Sequence, residues 1–311
     1  MSRRGFGHNR IFYYFRGINN RIYMKKFLGT LLFIGATLNV SAVTHDEIRF
    51  HDEANDTTRI TNMLIEAEKI ETNFPGERLS FIAKKFLGIP YVAHTLEGEE
   101  ELLTVNLDEL DCTTFVETVL AMTYTVEEGR TSWRDYVFNL ERMRYRKGEL
   151  NGYSSRLHYI SDWIIDNSHR GNFVEATNRI TQHGYVVKSI DFMSEHRSSY
   201  TSLSDSAEYA RIKAIESGYR NHRFPYIKKE NLRKKEVVAD LREGDVVALT
   251  TRIEGLDVSH LGIITFVDNV PHLMHASMKE MKVIIDPKPL YDYMMKNRGL
   301  TGIRVIRLNQ N

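Results

Sequence analysis

The sequence predicts an α+β protein, and three observations carry that reading. Through about residue 170 the apolar residues recur mostly at helical spacing. From about residue 246 they fall into short runs separated by turn residues, the pattern of an antiparallel meander. No internal repeat, low-complexity run or Pro-rich linker separates the two parts, so residues 43–311 read as one domain with a helical N-terminal part.

The first 42 residues stand apart from it. Lys25-Lys26 precedes an apolar run from Phe27 to Leu38, and Val40-Ser41-Ala42 follows as a small-x-small cleavage signal. These are the parts of a secretory signal peptide, and the run is short for a membrane span. Met24 is expected to be the true start, with residues 1–23 an overlong one. Residues 1–42 hold seven of the 42 basic residues and none of the 41 acidic ones, so the rest carries 35 against 41, a net charge of −6. An exported, mildly acidic protein is a poor nucleic-acid binder, because phosphate neutralisation needs a surplus of Lys and Arg. A single cysteine excludes internal disulfides and Cys-rich metal sites. Valine follows the cleavage signal where a lipid-anchored protein would need cysteine, so no membrane anchor is expected after cleavage.

Taken in order, residues 44–73 carry a loose helical pattern (Ile60, Met63, Leu64, Ala67, Ile70), closed by Asn73-Phe-Pro-Gly76. Leu79, Ile82, Ala83, Phe86 and Leu87 mark a cleaner helix that Gly88 stops. An extended segment, Gly88 to Val92, leads into the acidic run Glu97 to Glu101, read as a solvated turn, since adjacent glutamates lack the facing geometry of a glycosidase pair. Residues 131–147 look helical, as does the stripe Leu157, Ile160, Ile164 and Ile165. Arg156, His158, Tyr159 and Trp163 crowd the start of that stripe. They suit either a polar ligand bearing a carboxylate or an ordinary helix entry. Tyr185 to Met193 reads as a strand, residues 204–217 as a helix and the basic cluster Lys228 to Lys235 as a solvated loop. Strands are expected over 246–250, 258–267, 270–277, 282–285 and 302–308, with a short helix at 289–296.

The only cysteine opens a helix. Phe115, Val116, Val119 and Leu120 follow Cys112 at +3, +4, +7 and +8, and Asp108 or Asp111 can supply the N-cap. Free amides and the positive end of the helix dipole there favour a thiolate. A lone cysteine among apolar neighbours is also a common small core residue. The histidines weigh against that. A two-residue turn at Asp268-Asn269 pairs Val267 with Val270 and hence Gly262 with His275, which puts His260 on the same face as His275. Gly262 would leave room there for the Cys112 helix. One imidazole could take the thiol proton while the second fixes its tautomer. There is no Gly-x-Ser-x-Gly elbow, P-loop, dinucleotide fingerprint or His-Glu-x-x-His. Zinc held by His260, His275 and Asp257 would leave Cys112 unexplained, so neither metal nor cofactor is expected.

At these residues a resemblance emerges. Leu-Asp111-Cys112-Thr-Thr-Phe-Val-Glu, Val-Ser-His260-Leu-Gly-Ile and Leu-Met-His275-Ala-Ser resemble the three motifs of the NlpC-type cell-wall cysteine hydrolases. The longer stretches Tyr91-Val-Ala-His-Thr-Leu-Glu97 and Tyr153-Ser-Ser-Arg156-Leu-His-Tyr159 are similar to a branch acting as N-acetylmuramoyl-L-alanine amidases. The resemblance implies a papain-like core in which the nucleophile leads a helix packed on an antiparallel sheet. It implies Cys112 as nucleophile, His260 as proton carrier, His275 as its orienter and Tyr91 beside the oxyanion. Asn106, Asp111, Thr113, Arg156, His158, Tyr159, Ser259 and Ser277 are then expected to bind a muropeptide. Thr113-Thr114 replaces the Ser-Gly that more commonly follows Asp-Cys, and no SH3-like wall-binding module precedes the core, which favours soluble peptidoglycan fragments as substrate. The competing expectations are an endopeptidase cutting after γ-D-glutamate and a catalytically silent module binding wall fragments.

Overall fold

A computed structural model describes residues 43–309. The start, leader and cleavage position expected within residues 1–42 lie outside the described residues. After a single 3-10 turn, strand β1 (Ile48–Phe50) runs into α1 (Glu53–Glu68), capped where the Asp52 side chain accepts the Asn55 amide at 3.1 Å. Helix α2 (Pro75–Lys84) starts on proline, whose missing N–H costs nothing in a first turn. Strand β2 (Leu103–Val105) pairs parallel with β1, and α3 (Cys112–Glu127) and α4 (Trp133–Arg144) follow.

Next come α5 (Ile160–His169), β3 (Val174–Glu175), β4 (His183–Lys188), α6 (Phe192–Glu195), α7 (Ser206–Ser217), β5 (His222–Lys228) and α8 (Lys235–Asp240). The C-terminal part is β6 (Val246–Thr251), β7 (Val258–Val267), β8 (Val270–Ser277), β9 (Lys282–Pro289), α9 (Leu290–Lys296) and β10 (Leu300–Arg307). The large sheet has the antiparallel order β4-β5-β10-β6-β7-β8-β9, and β3 pairs with the far end of β10.

Helix α3 is the centre of the helical half. Phe115, Val116, Val119 and Leu120 are buried as the spacing predicts, but so are Thr118, Thr123 and Thr125 on its other sides. A helix enclosed by α1, α2 and α4 as well as the sheet has no solvent face. Its threonines return their hydroxyls to the carbonyls one turn back, Thr123 to Val119 at 2.7 Å and Thr125 to Ala121 at 2.8 Å. Glu117 forms a buried pair with Arg144 at 2.6 Å.

The sheet has a core on each face. Leu261, Ile263, Met274 and Ala276 pack with Phe115 and Val119 of α3. Leu249, Ile264, Leu273 and Ile303 pack with Leu290 and Met294 of α9. Alternation along β7 and β8 fixes which residues serve which core. The β7–β8 turn has Asp268 at φ +50° and Asn269 at φ +64°, the two left-handed residues of a type I′ hairpin, and Val267 pairs with Val270.

Several elements differ from expectation. β5 was not anticipated, because Pro225 at its centre lacks an N–H, yet it pairs with both β4 and β10. β4 stops at Lys188, and Phe192 and Met193 belong to α6 instead. β9 runs on to Pro289 despite Pro287. Lys229, expected in a solvated loop, is buried and donates to the Asn297 carbonyl at 3.2 Å.

Candidate active site

Asp111 is the cap of α3. Its Oδ1 accepts the amides of Thr113 at 3.0 Å and Thr114 at 2.8 Å, while Asp108 pairs with Arg59. Cys112 is therefore the first residue of the helix and is partly buried. Its sulfur lies 4.0 Å from the Thr113 hydroxyl, and the residue packs on the core that includes Leu261 of β7, the residue after His260. Burial pushes the thiol up to about 12, and the Asp111 carboxylate adds to the rise. The Leu261 amide pulls the other way and is outweighed. Burial, with the Asp111 charge added, outweighs the positive end of the helix dipole, so the free protein favours a thiol rather than the thiolate expected.

Tyr91 reaches the same place from the segment before α3. Its amide donates to Met281 and it forms a parallel bridge with Leu110. Burial, with Cys112 and Asp111 nearby, raises its phenol.

The two histidines meet. His260 Nε2 lies 2.6 Å from His275 Nδ1, with the rings nearly perpendicular. His260 is half-buried and His275 is buried. Burial lowers His260 to about 4 and His275 to about 3, His260 contributing to the latter, so both are neutral at neutral pH. His275 Nε2 has no hydrogen-bond partner among the described residues, and the nearest carboxylate, Asp286 Oδ2, is 3.9 Å away. Tyr293 of α9 packs edge-on against His275 at 5.4 Å, and burial lifts its phenol to about 12, with Asp286 and Cys112 adding to it.

The two histidines and Tyr293, though not Cys112 or Tyr91, line a cleft of about 510 Å³ to which Ser259, Ser277 and Asp286 also contribute. Gly262 does not make room for α3. A Cβ there would come 2.5 Å from Leu273 Cδ1, because Gly262 and the histidines share the α9 face while α3 packs on the other. Cys112 packs on the α3-side core that includes Leu261.

Other residues expected at the site are engaged within the protein's own structure. Arg156 is buried, donates to Glu97 at 2.7 Å, lies 3.5 Å from Glu101 and stacks over Tyr153. His158 donates from Nε2 to the Tyr153 carbonyl at 2.9 Å, and burial holds it down at about 3. The Tyr159 hydroxyl donates to Glu216 and accepts the Met193 amide, both at 2.7 Å. The acidic run is not simply solvated either, since Glu101 is almost enclosed and accepts the Tyr145 hydroxyl at 2.9 Å. Asn106 likewise spends its side chain on the amides of Asp108 and Glu109. Asp111 is occupied by its cap. The side chains of Arg156, His158, Tyr159, Asn106 and Asp111 thus hold the protein's own structure. Asp286 and Tyr293 went unanticipated. The signal for Asp286 was strand alternation: Ile284 pairs with His275, and Asp286 shares its side of β9.

A family model described as AmiA-like, N-acetylmuramoyl-L-alanine amidase-like, matches residues 81–303. The chain belongs to this AmiA-like family. It is 38% identical to an N-acetylmuramoyl-L-alanine amidase from Bacteroides uniformis ATCC 8492, over 76% of this chain and 99% of that one, with a TM-score of 0.72. It is 39% identical to a putative xylanase from Bacteroides fragilis, over 72% and 98%, with a TM-score of 0.69. Protein LPG0564 from Legionella pneumophila str. Philadelphia 1 shares the fold at 20% identity, over 83% and 96%, with a TM-score of 0.64. No relative among the curated proteins matches the chain. The AmiA-like match spans Tyr91, Cys112, His260, His275, Asp286 and Tyr293 alike.

Proposed function

We propose that this protein is an exported, cysteine-dependent N-acetylmuramoyl-L-alanine amidase with a papain-like layout, acting on soluble muropeptides. The observation that carries the reading is the joint at β7. Cys112, at the start of α3, packs on the core that includes Leu261, and His260, the residue before Leu261, bonds to His275. Family membership and the activity named for the Bacteroides uniformis relative support the choice of bond. The apolar leader pattern supports export, and among the described residues no helix is long and apolar enough to cross a membrane.

The tautomers follow from the bonds. For His260 Nδ1 to take a proton, Nε2 must carry one and donate it to His275 Nδ1. His275 then carries its own proton on Nε2, toward Asp286. With the thiol near 12 and His260 near 4, no ion pair rests in the free protein. The proton therefore passes to His260 as the sulfur attacks the lactyl carbonyl, within one step. The Cys112 amide and the Tyr91 hydroxyl donate to the oxyanion. The C–N bond then breaks, His260 returns the proton to the amine of L-alanine, and water hydrolyses the thioester with His260 again as base.

The test is mass spectrometry of a defined muropeptide after incubation with residues 43–311. The reading expects free muramic acid sugar and an intact stem peptide beginning at L-alanine. Cleavage after γ-D-glutamate would make the protein an endopeptidase, and no cleavage of either bond would remove the enzymatic reading.

A further inference from the structure

We propose that the mouth of the catalytic cleft is an anion subsite, formed by Lys288, Lys296 and Arg298, that takes a free carboxylate of the peptide-bearing substrate; this deepens the amidase reading and rests on it. The three cations come from separate places, Lys288 from β9, Lys296 from the end of α9 and Arg298 from the turn into β10. All three line the cleft that holds His260 and His275. Among the described residues none of the three is in an ion pair.

The other charges of the lining answer them only in part, Asp286 acting on Lys296. Lys279 is paired with Glu280, and Asp286 faces His275. The cleft therefore carries four cations and two carboxylates, in a chain whose residues 43–311 sum to −6. A cation excess gathered at the catalytic opening of an acidic protein is a local feature, and a cleft of one sign concentrates ligands of the other.

The arrangement also bears a cost in the free protein. The ammonium of Lys288 beside Lys296 pushes the Lys296 pKa down and Lys279 adds to the effect, outweighing Asp286, which pulls the other way. An anion lodged between these groups would relieve the repulsion and be bound by it. Exposed Ile253 and Met278 line the same cleft and offer apolar surface to the uncharged parts of a ligand.

The experiment compares two synthetic muramoyl peptides that differ only in having their peptide carboxylates free or converted to carboxamides. The proposal expects wild type to cleave both with similar kcat and a KM about tenfold lower for the free acid, the gap closing as salt is raised. Lys288→Met with Lys296→Met and Arg298→Met should abolish the difference, leaving kcat for the carboxamide within about twofold. Equal KM values in wild type would overturn the subsite while leaving the amidase reading intact. If neither peptide is cleaved, the amidase reading fails, and binding of the same two probes to wild type decides the subsite. Preference for the free acid, lost in the triple variant, would uphold it, and equal or absent binding would reject it.

Discussion

Behind α3, Arg144 donates to Glu117 at 2.6 Å and to the Thr104 carbonyl at 2.7 Å, and Arg156 is enclosed between Glu97, Glu101 and the face of Tyr153. At the first residue of the helix and on the sheet beside it, Cys112, His260 and His275 are also shifted in pKa, but the two histidines line an open cleft, and His275 Nε2 has no hydrogen-bond partner among the described residues. Both clusters join distant parts of the chain. The first closes its charges against one another, so they stabilise, even though Arg156 Nε, 3.5 Å from Glu101, makes no hydrogen bond among the described residues. The second presents its histidines to a cleft. A perturbed group marks a candidate site only when it also faces an opening, since structural ion pairs perturb pKa values as well.

The comparison can be broken at either cluster. The largest effect is expected from His260→Ala, which removes the proton carrier and should lower kcat/KM by about 10³-fold or more with thermal unfolding little changed. His275→Gln keeps a side chain able to bond His260 and should cost roughly 10- to 100-fold; a greater loss than His260→Ala would mean the two roles are exchanged.

On the closed side the same logic predicts stability rather than rate. Glu117→Ala leaves Arg144 buried and unpaired and should cost about 3–5 kcal/mol in denaturant unfolding, with kcat per folded molecule preserved. Arg156→Met should cost about 1–3 kcal/mol, because Glu101 loses its cation. A large rise in KM with unchanged stability would instead return Arg156 to the substrate.

Much of the open cluster was legible in the chain. Asp-Asn at 268–269 set the hairpin register, and period two put His260 and His275 together without any tertiary knowledge. The cap by Asp111 was equally local. The closed cluster was not legible, because Arg156 meets Glu97 and Glu101 more than fifty residues earlier and nothing near either run announces the pairing. From spacing alone, Arg156 beside tyrosines and a histidine looks the same whether it awaits a ligand or already has its partners. Asp286 was hidden for another reason: Pro287 and Pro289 read as the end of a strand that in fact continues. Strand alternation gives faces but not which core each face meets, so Gly262 was assigned to α3 when Leu273 fills its space.

A further effect is expected on pH dependence. His158, His260 and His275 are held at about 3, about 4 and about 3, against an ordinary value of 6.5. The unfolded chain thus binds protons that the folded one refuses, and stability should fall as pH is lowered from about 7 toward 4. His158→Gln should flatten that slope in unfolding measured across the window. Activity has the same sign: kcat/KM should persist below pH 6 and fall as His260 protonates near 4.

The central claim is that the one cysteine is the nucleophile, and the direct measurement is kcat/KM on a defined muramoyl peptide for wild type and Cys112→Ala, alongside their thermal unfolding. The account predicts a loss of at least about 10³-fold with the unfolding midpoint retained. Undiminished cleavage by the folded Cys112→Ala protein would contradict it.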